Sequence, residues 1–256
     1  MKIQEITRDN LKVKIFETKS AMGADAAETI SEKIRELLEK KEYINIVFAA
    51  APSQNDFLAS LKEKNIEWGR INAFHMDEYI GLNKNAPQLF GNYLKEQLFG
   101  KVPFRGVYYM NGDEDNVEKE CQRYSELLEK YPTDIVILGI GENTHIAFND
   151  PHVADFNDSK TVKIVDLDEK NRNQQVDPEV EICFKAIDQV PTHAITLTVP
   201  ALFKAKYAYA IAPGQNKAEA IAHTLNSPIQ ENYPSTILRK HPNAVLYIDE
   251  NSSAKI

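Results

Sequence analysis

The sequence predicts an α/β fold with a doubly wound, mostly parallel open sheet and helices on both faces. Short apolar runs typical of buried parallel strands alternate along the chain with stretches of helical periodicity. The clearest strand is the run 135–138, in which four consecutive apolar residues end at a glycine. We find no internal repeat or long linker, so we expect a single domain over residues 1–256.

The first half of the chain already shows this alternation. Apolar and charged residues alternate over 11–17, which predicts an edge strand. Ser20 is expected to cap a helix that runs to about residue 41, since apolar residues follow it at helical spacing. Pro52, after the buried strand 44–50, suits the first turn of the next helix. Further elements are predicted as a strand at 71–76, a helix at 87–99, a strand at 107–110 and a helix at 116–131.

The second half contains a polar stretch at 154–189, rich in Asp, Asn and Gln. We expect this stretch to be less regular, apart from a strand at 162–165. Beyond it the alternation returns. Strands are predicted at 192–198, 207–211 and 244–248, with helices around Ala201 and at 216–225.

Composition restricts the class of protein. The chain has 256 residues, 43% of them hydrophobic, which is enough to fill a core. A net charge of −8 and the lack of any Lys/Arg run longer than two argue against nucleic-acid binding. No apolar run approaches the ~20 residues of a membrane span, and the N-terminal stretch lacks the apolar region of a signal peptide. We therefore expect a cytoplasmic protein that does not bind membranes.

The cysteines and most of the histidines match no metal-site pattern. Cys121 and Cys183 lie far apart and are expected to be reduced thiols. Solvated or structural roles are expected for five histidines: His75, His152, His193, His223 and His241. The sequence therefore predicts no metal.

Two stretches carry side chains able to do chemistry directly after predicted strands. Gly139 and Gly141 turn the chain after the run 135–138, and Asn143, His145 and Asp150 follow. On these residues alone, a glycine turn with a solvated histidine is an equally good interpretation. The second stretch follows the strand 71–76.

That second stretch contains the paired acids Asp77 and Glu78. Adjacent strand residues point to opposite faces, so only one of the two need enter a site. In open α/β sheets ligands bind at the carboxyl ends of strands. Both stretches are therefore candidates for one site.

These stretches resemble the glucosamine-6-phosphate deaminase (isomerase) family. The family's M-D-E-Y-x-G-L is matched by residues 76–82, and its G-x-G-x-x-x-H-I-A-F-N-[ED]-P by residues 139–151. A third motif, G-x-N-K-A, is matched by residues 214–218. The resemblance extends over roughly residues 44–250.

The resemblance implies an aldose–ketose isomerase with amine hydrolysis, which converts glucosamine 6-phosphate into fructose 6-phosphate and ammonia without a metal or organic cofactor. Asp77 would be the base that moves the proton at C2, a task that suits a carboxylate of raised pKa. His145 would open the sugar ring, because imidazole exchanges protons near neutral pH. Asp150 would orient the imidazole.

The chain departs from the family's pattern near His145. Asn143 replaces an Asp of the best-known members, so His145 is expected to depend on Asp150 alone for charge support. Thr144 replaces a glycine, although threonine does not readily adopt a positive φ. Asp150 stands where many relatives have Glu.

The substrate-binding residues follow from the same resemblance. Lys217 matches a phosphate-binding lysine. The loop after the first buried strand has lost the family's glycines, but Ser53, Gln54 and the N–H groups of the following helix are expected to form an anion cradle. An ordinary capped helix is an equally good interpretation there. Glu78 is also predicted to bind substrate, and Arg172 is predicted as an arginine of a lid formed by the segment 154–189.

Two other functions stay open at this point. One is a 6-phosphogluconolactonase, in which a histidine activates water to attack an ester; M-D-E-Y and H-I-A-F-N-D favour the deaminase over it. The other is a sugar-phosphate sensor without turnover, against which we note that no DNA-binding helix pair is evident. The expected partner is a small-molecule sugar phosphate, and the sequence allows a homo-oligomer.

Overall fold

The computed structural model describes residues 1–112, 114–177 and 183–256. Eight of its strands form one sheet. In spatial order these are β1 (Lys2–Arg8), β2 (Leu11–Phe16), β11 (Ala244–Asp249), β10 (Tyr207–Ile211), β7 (Ile135–Leu138), β3 (Ile44–Phe48), β4 (Ile71–His75) and β6 (Gly106–Tyr108). β1 pairs with β2 antiparallel, and the other pairings are parallel. The predicted mostly parallel sheet is confirmed.

Helices cover both faces of this sheet. Ile135 and Ile137 pack with residues of α1 (Lys19–Lys40) and α2 (Asn55–Lys62). Val136 and Leu138, on the opposite face, pack with residues of α4 (Val117–Lys130) and α7 (Ala218–Asn226). Because both faces of β7 are buried, its sequence is an unbroken apolar run rather than an alternating one.

A second, smaller sheet was not predicted. It contains β5 (Asp77–Tyr79), β9 (His193–Leu197) and β8 (Val162–Asp166), paired antiparallel in that order. The chain leaves the main sheet after β4, and the carbonyl of Met76 accepts a hydrogen bond from the Leu197 amide at 2.8 Å. The paired acids therefore belong to the small sheet rather than to the end of β4.

Several predicted boundaries are wrong. α1 is capped by Thr18, whose side chain accepts from the Ala21 amide, whereas Ser20 lies inside the first turn. The helix predicted from residue 87 begins only at α3 (Phe90–Leu94), and its last turn is π-helical. β1 was missed because its side chains are mostly exposed and show no buried face.

Short helical elements complete the described chain. α5 (Glu169–Gln174) lies in the polar stretch that we expected to be irregular, and α6 (Val199–Phe203) follows β9. The 3-10 turns are Pro52–Gln54, Trp68–Arg70, Glu114–Asn116, Ile187–Gln189, Gln215–Lys217 and Pro234–Lys240. The predicted lid, 154–189, lies partly outside the described residues, and its mobility stays a prediction, as does the single-domain organisation. Among the described residues no helix has both the length and the apolar character needed to cross a membrane.

Candidate active site

The candidate active site is a cavity at the carboxyl ends of β3, β4 and β7. Its wall includes Ala49 after β3, Met76 after β4 and Gly139 after β7. β3 and β7 are neighbours, and from them the strand order runs outward in opposite directions. Such a switch point opens a crevice at the carboxyl edge of a doubly wound sheet, which is where ligands bind.

The structure brings four of the predicted site residues to this cavity: Asp77, His145, Ser53 and Lys217. Phe90 and Phe148 supply apolar walls. Asn143 and Asp150 lie behind His145 and contact its imidazole. The remaining predicted residues, Glu78, Gln54 and Arg172, do not line the cavity.

The loop after β7 positions His145 against a glycine. A Cβ atom on Gly141 would lie 2.1 Å from the imidazole Cε1, so only glycine allows the ring to pack there. The Gly141 amide donates to the His145 carbonyl at 2.9 Å. Thr144 stands where relatives have glycine and adopts a φ of 71°, which glycine accepts more readily than threonine. Its hydroxyl is buried without a hydrogen-bond partner. This loop therefore stores backbone strain beside the histidine.

A hydrogen-bond network holds the imidazole. His145 Nδ1 lies 2.6 Å from Asn143 Oδ1 and 3.1 Å from Asp150 Oδ1. The Asn143 side-chain amide donates to Asp150 Oδ1 at 2.9 Å and to Asp168 Oδ2 at 2.7 Å. Since both neighbours of Nδ1 accept, Nδ1 carries the proton and Nε2 is the nitrogen left to exchange protons with a ligand.

Asp150 is fully buried. Burial pushes its pKa upward, but hydrogen bonds from His145, Asn143 and the Asp168 amide hold the pKa of this carboxyl below its ordinary value. It is therefore ionised beside the imidazole at neutral pH. Asp150 contacts the imidazole directly, whereas the carboxylate of Asp168 joins the network through Asn143. That Asp150 alone supplies charge support stays a prediction.

Asp77 faces the cavity from the small sheet and is only 6% exposed. Burial, and secondarily the charge of Glu78, raise the pKa of its carboxyl well above the ordinary value. A carboxylate of raised pKa is a stronger base when ionised. Asp77 therefore has the chemical character of a general base.

Glu78 points away from the cavity, as the alternation along a strand requires. Its carboxylate accepts hydrogen bonds from the amides of Tyr79, Phe90 and Gly91 at 2.9 to 3.0 Å. Burial raises its pKa to about 7, against the lowering effect of these three donors. Its position does not support the predicted contact with substrate; it holds the start of α3 against β5.

His75, fully buried behind Asp77, has the structural role expected for it. Its Nε2 accepts from the Met110 amide at 2.8 Å, so its Nδ1 carries the proton and donates to the Asp77 carbonyl at 2.9 Å. Burial lowers its pKa to about 4. The neutral ring fixes the backbone at Asp77.

The cavity wall also carries a cation and a hydroxyl group. Lys217 lines it, and burial lowers the pKa of this ammonium to about 8, with Glu142 acting in the other direction. Ser53 lines it from the 3-10 turn after β3. Gln54 is turned inward, where its amide donates to the Ile211 carbonyl at 3.0 Å and to Ser53 Oγ at 3.1 Å. Gln54 therefore supports the loop instead of facing a ligand.

Arg172 lies on α5, but its guanidinium donates to the carbonyls of Ile187 and Val190 at 2.7 and 2.9 Å. These bonds keep it out of the cavity, so its position does not support the predicted lid-arginine role. Gln174 and Gln175, at the end of the same helix, line the cavity instead. Sequence reasoning missed both, because the polar stretch gave no sign of a helix.

One group of side chains in the described part of the chain has spacing suited to a metal ion. Ligand atoms of Asp150, His152 and Asp168 lie within 4.8 Å of one another. The two carboxylates already accept hydrogen bonds from Asn143 and Asn171, while His152 Nε2 lies 2.7 Å from Asp166 Oδ2. We attribute the cluster to hydrogen bonding, and the predicted lack of a metal stays a prediction.

With this geometry in place, comparison with known proteins assigns the class. The chain belongs to the family of glucosamine-6-phosphate isomerases/6-phosphogluconolactonase, whose model matches residues 17–247. Among individual proteins, it is 33% identical over 228 residues to a glucosamine-6-phosphate deaminase of Bacillus cereus (strain B4264), covering 89% of this chain and 84% of the relative. A glucosamine-6-phosphate deaminase of Bacillus thuringiensis (strain Al Hakam) gives the same identity and coverage. The suspected family is confirmed.

Solved structures agree with this assignment. A monomeric glucosamine-6-phosphate deaminase superposes with a TM-score of 0.85 at 26% identity, covering 95% of this chain and 99% of that one. A 6-phosphogluconolactonase from Thermotoga maritima superposes with a TM-score of 0.74 at 23% identity, covering 93% and 99%. The second likeness shows a shared fold.

Proposed function

We propose that this protein is a deaminase that converts glucosamine 6-phosphate, or a close amino-sugar phosphate, into fructose 6-phosphate and ammonia. The observation that carries the proposal is a buried carboxylate of raised pKa, Asp77, facing the same cavity as a histidine held in one tautomer, His145. The relatives at 33% identity bear the name of this activity.

Ring opening is the first step in this proposal. His145 would pass a proton from the C1 hydroxyl to the ring oxygen, using Nε2 while Nδ1 stays bonded to Asn143 and Asp150. The open chain exposes an aldehyde at C1, which makes the hydrogen on C2 acidic. Imidazole suits this transfer because it both accepts and donates protons near neutral pH.

Isomerisation follows. Asp77 would take the proton from C2 and return one to C1, while a proton passes from the amine nitrogen to the C1 oxygen; the product has a hydroxyl at C1 and an imine at C2. Water then adds at C2 and ammonia leaves, giving the ketose. The raised pKa of Asp77 matches this task, because a general base works best when its pKa approaches the working pH.

The phosphate would bind in the part of the cavity that contains Lys217. Lys217 and Ser53 would contact it, with Gln174 and Gln175 supplying amide donors in place of further cations. A single buried ammonium forms charge-assisted hydrogen bonds, each worth ~1.5–3 kcal/mol. We therefore expect phosphorylated substrates to be preferred over free glucosamine.

One assay tests the proposal against its nearest alternative. The protein is incubated with glucosamine 6-phosphate, with release of ammonia and fructose 6-phosphate as the readout, beside 6-phosphogluconolactone under the same conditions. We expect turnover of the amino sugar and none of the lactone beyond its spontaneous hydrolysis. Lactone hydrolysis without ammonia release would overturn the proposal, and binding of the amino sugar without turnover would favour the sensor.

The same proposal includes a cytoplasmic location, since a phosphorylated metabolite carries charges that keep it inside cells. The homo-oligomer that the sequence allows is tested by light scattering on the purified protein. A single mass equal to that of one chain would exclude it.

A further inference from the structure

We propose that Asp168, together with Asn171, is a positioning residue that fixes the imidazole of His145 through Asn143 and Asp150. The geometric part of this proposal concerns the free protein. Only its kinetic part rests on the proposed deaminase function.

Asp168 caps α5 and joins the histidine network at the same time. Its Oδ1 accepts from the Asn171 amide at 2.6 Å, which satisfies a free N–H of the first helical turn. Its Oδ2 accepts from the Asn143 side chain at 2.7 Å, and its own backbone amide donates to Asp150 Oδ2 at 3.0 Å. One residue therefore links the start of α5 to both orienting partners of His145.

Asn171 strengthens this link from inside α5. Its side chain is 1% exposed, and its amide nitrogen donates to Asp150 Oδ1 and Oδ2 at 2.9 and 3.1 Å. A buried amide on a six-residue helix is costly unless it is bonded. The bonds to Asp150 explain why the polar side chain faces inward.

The orientation of the Asn143 amide follows from the two carboxylates around it. Asp150 and Asp168 can only accept when ionised, so the NH2 group of Asn143 must face them. The oxygen of the same amide is then left facing His145 Nδ1, which must donate. Asp168 thus acts together with Asp150 and with the His145 backbone amide, which donates to Asn143 Oδ1 at 3.1 Å, to exclude the alternative orientation of Asn143.

An amide in place of the Asp168 carboxylate would remove one of these three constraints and make the alternative orientation accessible. The NH2 group of the new side chain could donate to Asn143 Oδ1, and the flipped Asn143 would present its own NH2 to His145. The imidazole would then accept at Nδ1 and carry its proton on Nε2, which is the wrong nitrogen for accepting a proton in the cavity. The expected consequence of Asp168→Asn is a mixture of tautomers.

The charges around the histidine also support a positioning role for Asp168. The groups that face it are Asp150 on its own loop, Asp168 through Asn143, Asp77 from β5 and Lys217 before α7. An Asp at position 143 would place a third carboxylate where the amide nitrogen now lies, 2.9 Å from Asp150 and 2.7 Å from Asp168. This chain therefore keeps a neutral amide between the carboxylates of Asp150 and Asp168.

A charge swap tests the proposal. Asn143→Asp, Asp168→Asn and the double variant are compared by the nitrogen-15 chemical shifts of the His145 imidazole in the free protein, and by kcat and KM. Wild type should show the neutral ring protonated at Nδ1, and Asp168→Asn should show both tautomers. We expect each single change to lower kcat about tenfold with little change in KM, and the double variant to recover part of that loss, as for coupled partners in one network.

Two controls separate positioning from helix capping. Asp168→Ser keeps a side-chain cap but removes the carboxylate, so it should behave like Asp168→Asn. Glu169→Gln removes an exposed carboxylate from the same helix and should leave the tautomer and kcat unchanged. Thermal unfolding of each variant shows whether it is folded, and the imidazole shifts are read only on folded protein.

The outcomes are distinguishable. An unchanged tautomer in folded Asp168→Asn, or single losses that multiply in the double variant, would overturn the positioning role and leave Asp168 as a cap. A tautomer change in a protein that does not turn over amino-sugar phosphates would support the positioning role and overturn the proposed function instead.

Discussion

The cavity has two polar regions, one around His145 and one around Lys217, which are equally buried but differ in their hydrogen bonding. His145 and Lys217 are 8% and 7% exposed. Around the histidine, Asn143, Asp150 and Asp168 are hydrogen-bonded to one another, and Asn143 is also bonded to the imidazole. By contrast, the ammonium of Lys217 makes no hydrogen bond within the described part of the chain, and its pKa is lowered by burial.

This difference suggests that the region around His145 acts in the reaction and the region around Lys217 in substrate binding. A group already held in its working geometry costs no reorganisation when the reaction occurs, so its loss should appear in kcat. A buried ammonium without a hydrogen-bond partner gains one when an anionic ligand binds. Its removal should therefore appear in KM. Substitutions around His145 and around Lys217 should therefore separate effects on kcat from effects on KM.

Asp77→Asn is expected to lower kcat most. The amide keeps the shape of the side chain but removes the base, so kcat should fall by roughly 10²–10⁴-fold while substrate affinity changes little. Asp188→Asn, which changes an exposed acid, is the matched control. Retention of more than about a tenth of wild-type kcat would be incompatible with a general base.

Lys217→Ala should act on the other parameter. Loss of a charge-assisted bond worth ~1.5–3 kcal/mol corresponds to a rise in KM of roughly 10- to 150-fold, with a smaller change in kcat. Lys204→Ala removes an exposed lysine and should have no effect. Equal KM values for Lys217→Ala and wild type would show that the phosphate binds elsewhere.

The pH dependence of kcat/KM should show the same lysine. Its pKa of about 8 means that the free enzyme loses this charge as pH rises through about 8, so phosphate capture should weaken there. Lys217→Arg keeps its charge over the whole range. We expect this alkaline decline to be absent in the arginine variant; an identical decline in both proteins would assign it to another group.

Thr144→Gly should stabilise the fold slightly. Threonine at a φ of 71° carries strain of ~1–3 kcal/mol, which exceeds the ~0.5–1 kcal/mol of chain entropy that glycine adds to the unfolded state. We therefore expect the free energy of unfolding to rise by about 1 kcal/mol. Thr192→Gly, at an exposed position without positive φ, should lower it instead. A lower value for Thr144→Gly would mean that the loop is not strained.

The same division explains what could be predicted from the sequence. Asp77 and His145 come directly after predicted strands, so local pattern and chain direction placed both at one edge of the sheet. The alternation along β5 correctly allowed only one of Asp77 and Glu78 to enter the cavity. Motifs that are short and contiguous carry this information in their own residues.

The remaining parts of the site depend on contacts between distant segments. Asp168 lies 25 residues from Asn143, at the N-cap of a helix of six residues that has no apolar periodicity to reveal it. The same helix brings Gln174 and Gln175 to the cavity and turns Arg172 away. No local pattern encodes these positions, because they depend on contacts between α5 and residues 143–150, which are distant in the sequence.

Asp77 is expected to move a proton from C2 to C1 of an amino-sugar phosphate. The direct measurement is turnover of glucosamine 6-phosphate in deuterium oxide, with proton NMR of the fructose 6-phosphate formed. A carboxylate that exchanges its proton with solvent should deliver deuterium to C1, and Asp77→Asn should form labelled ketose roughly 10²–10⁴-fold more slowly. Formation of labelled fructose 6-phosphate by Asp77→Asn at the wild-type rate would contradict this role.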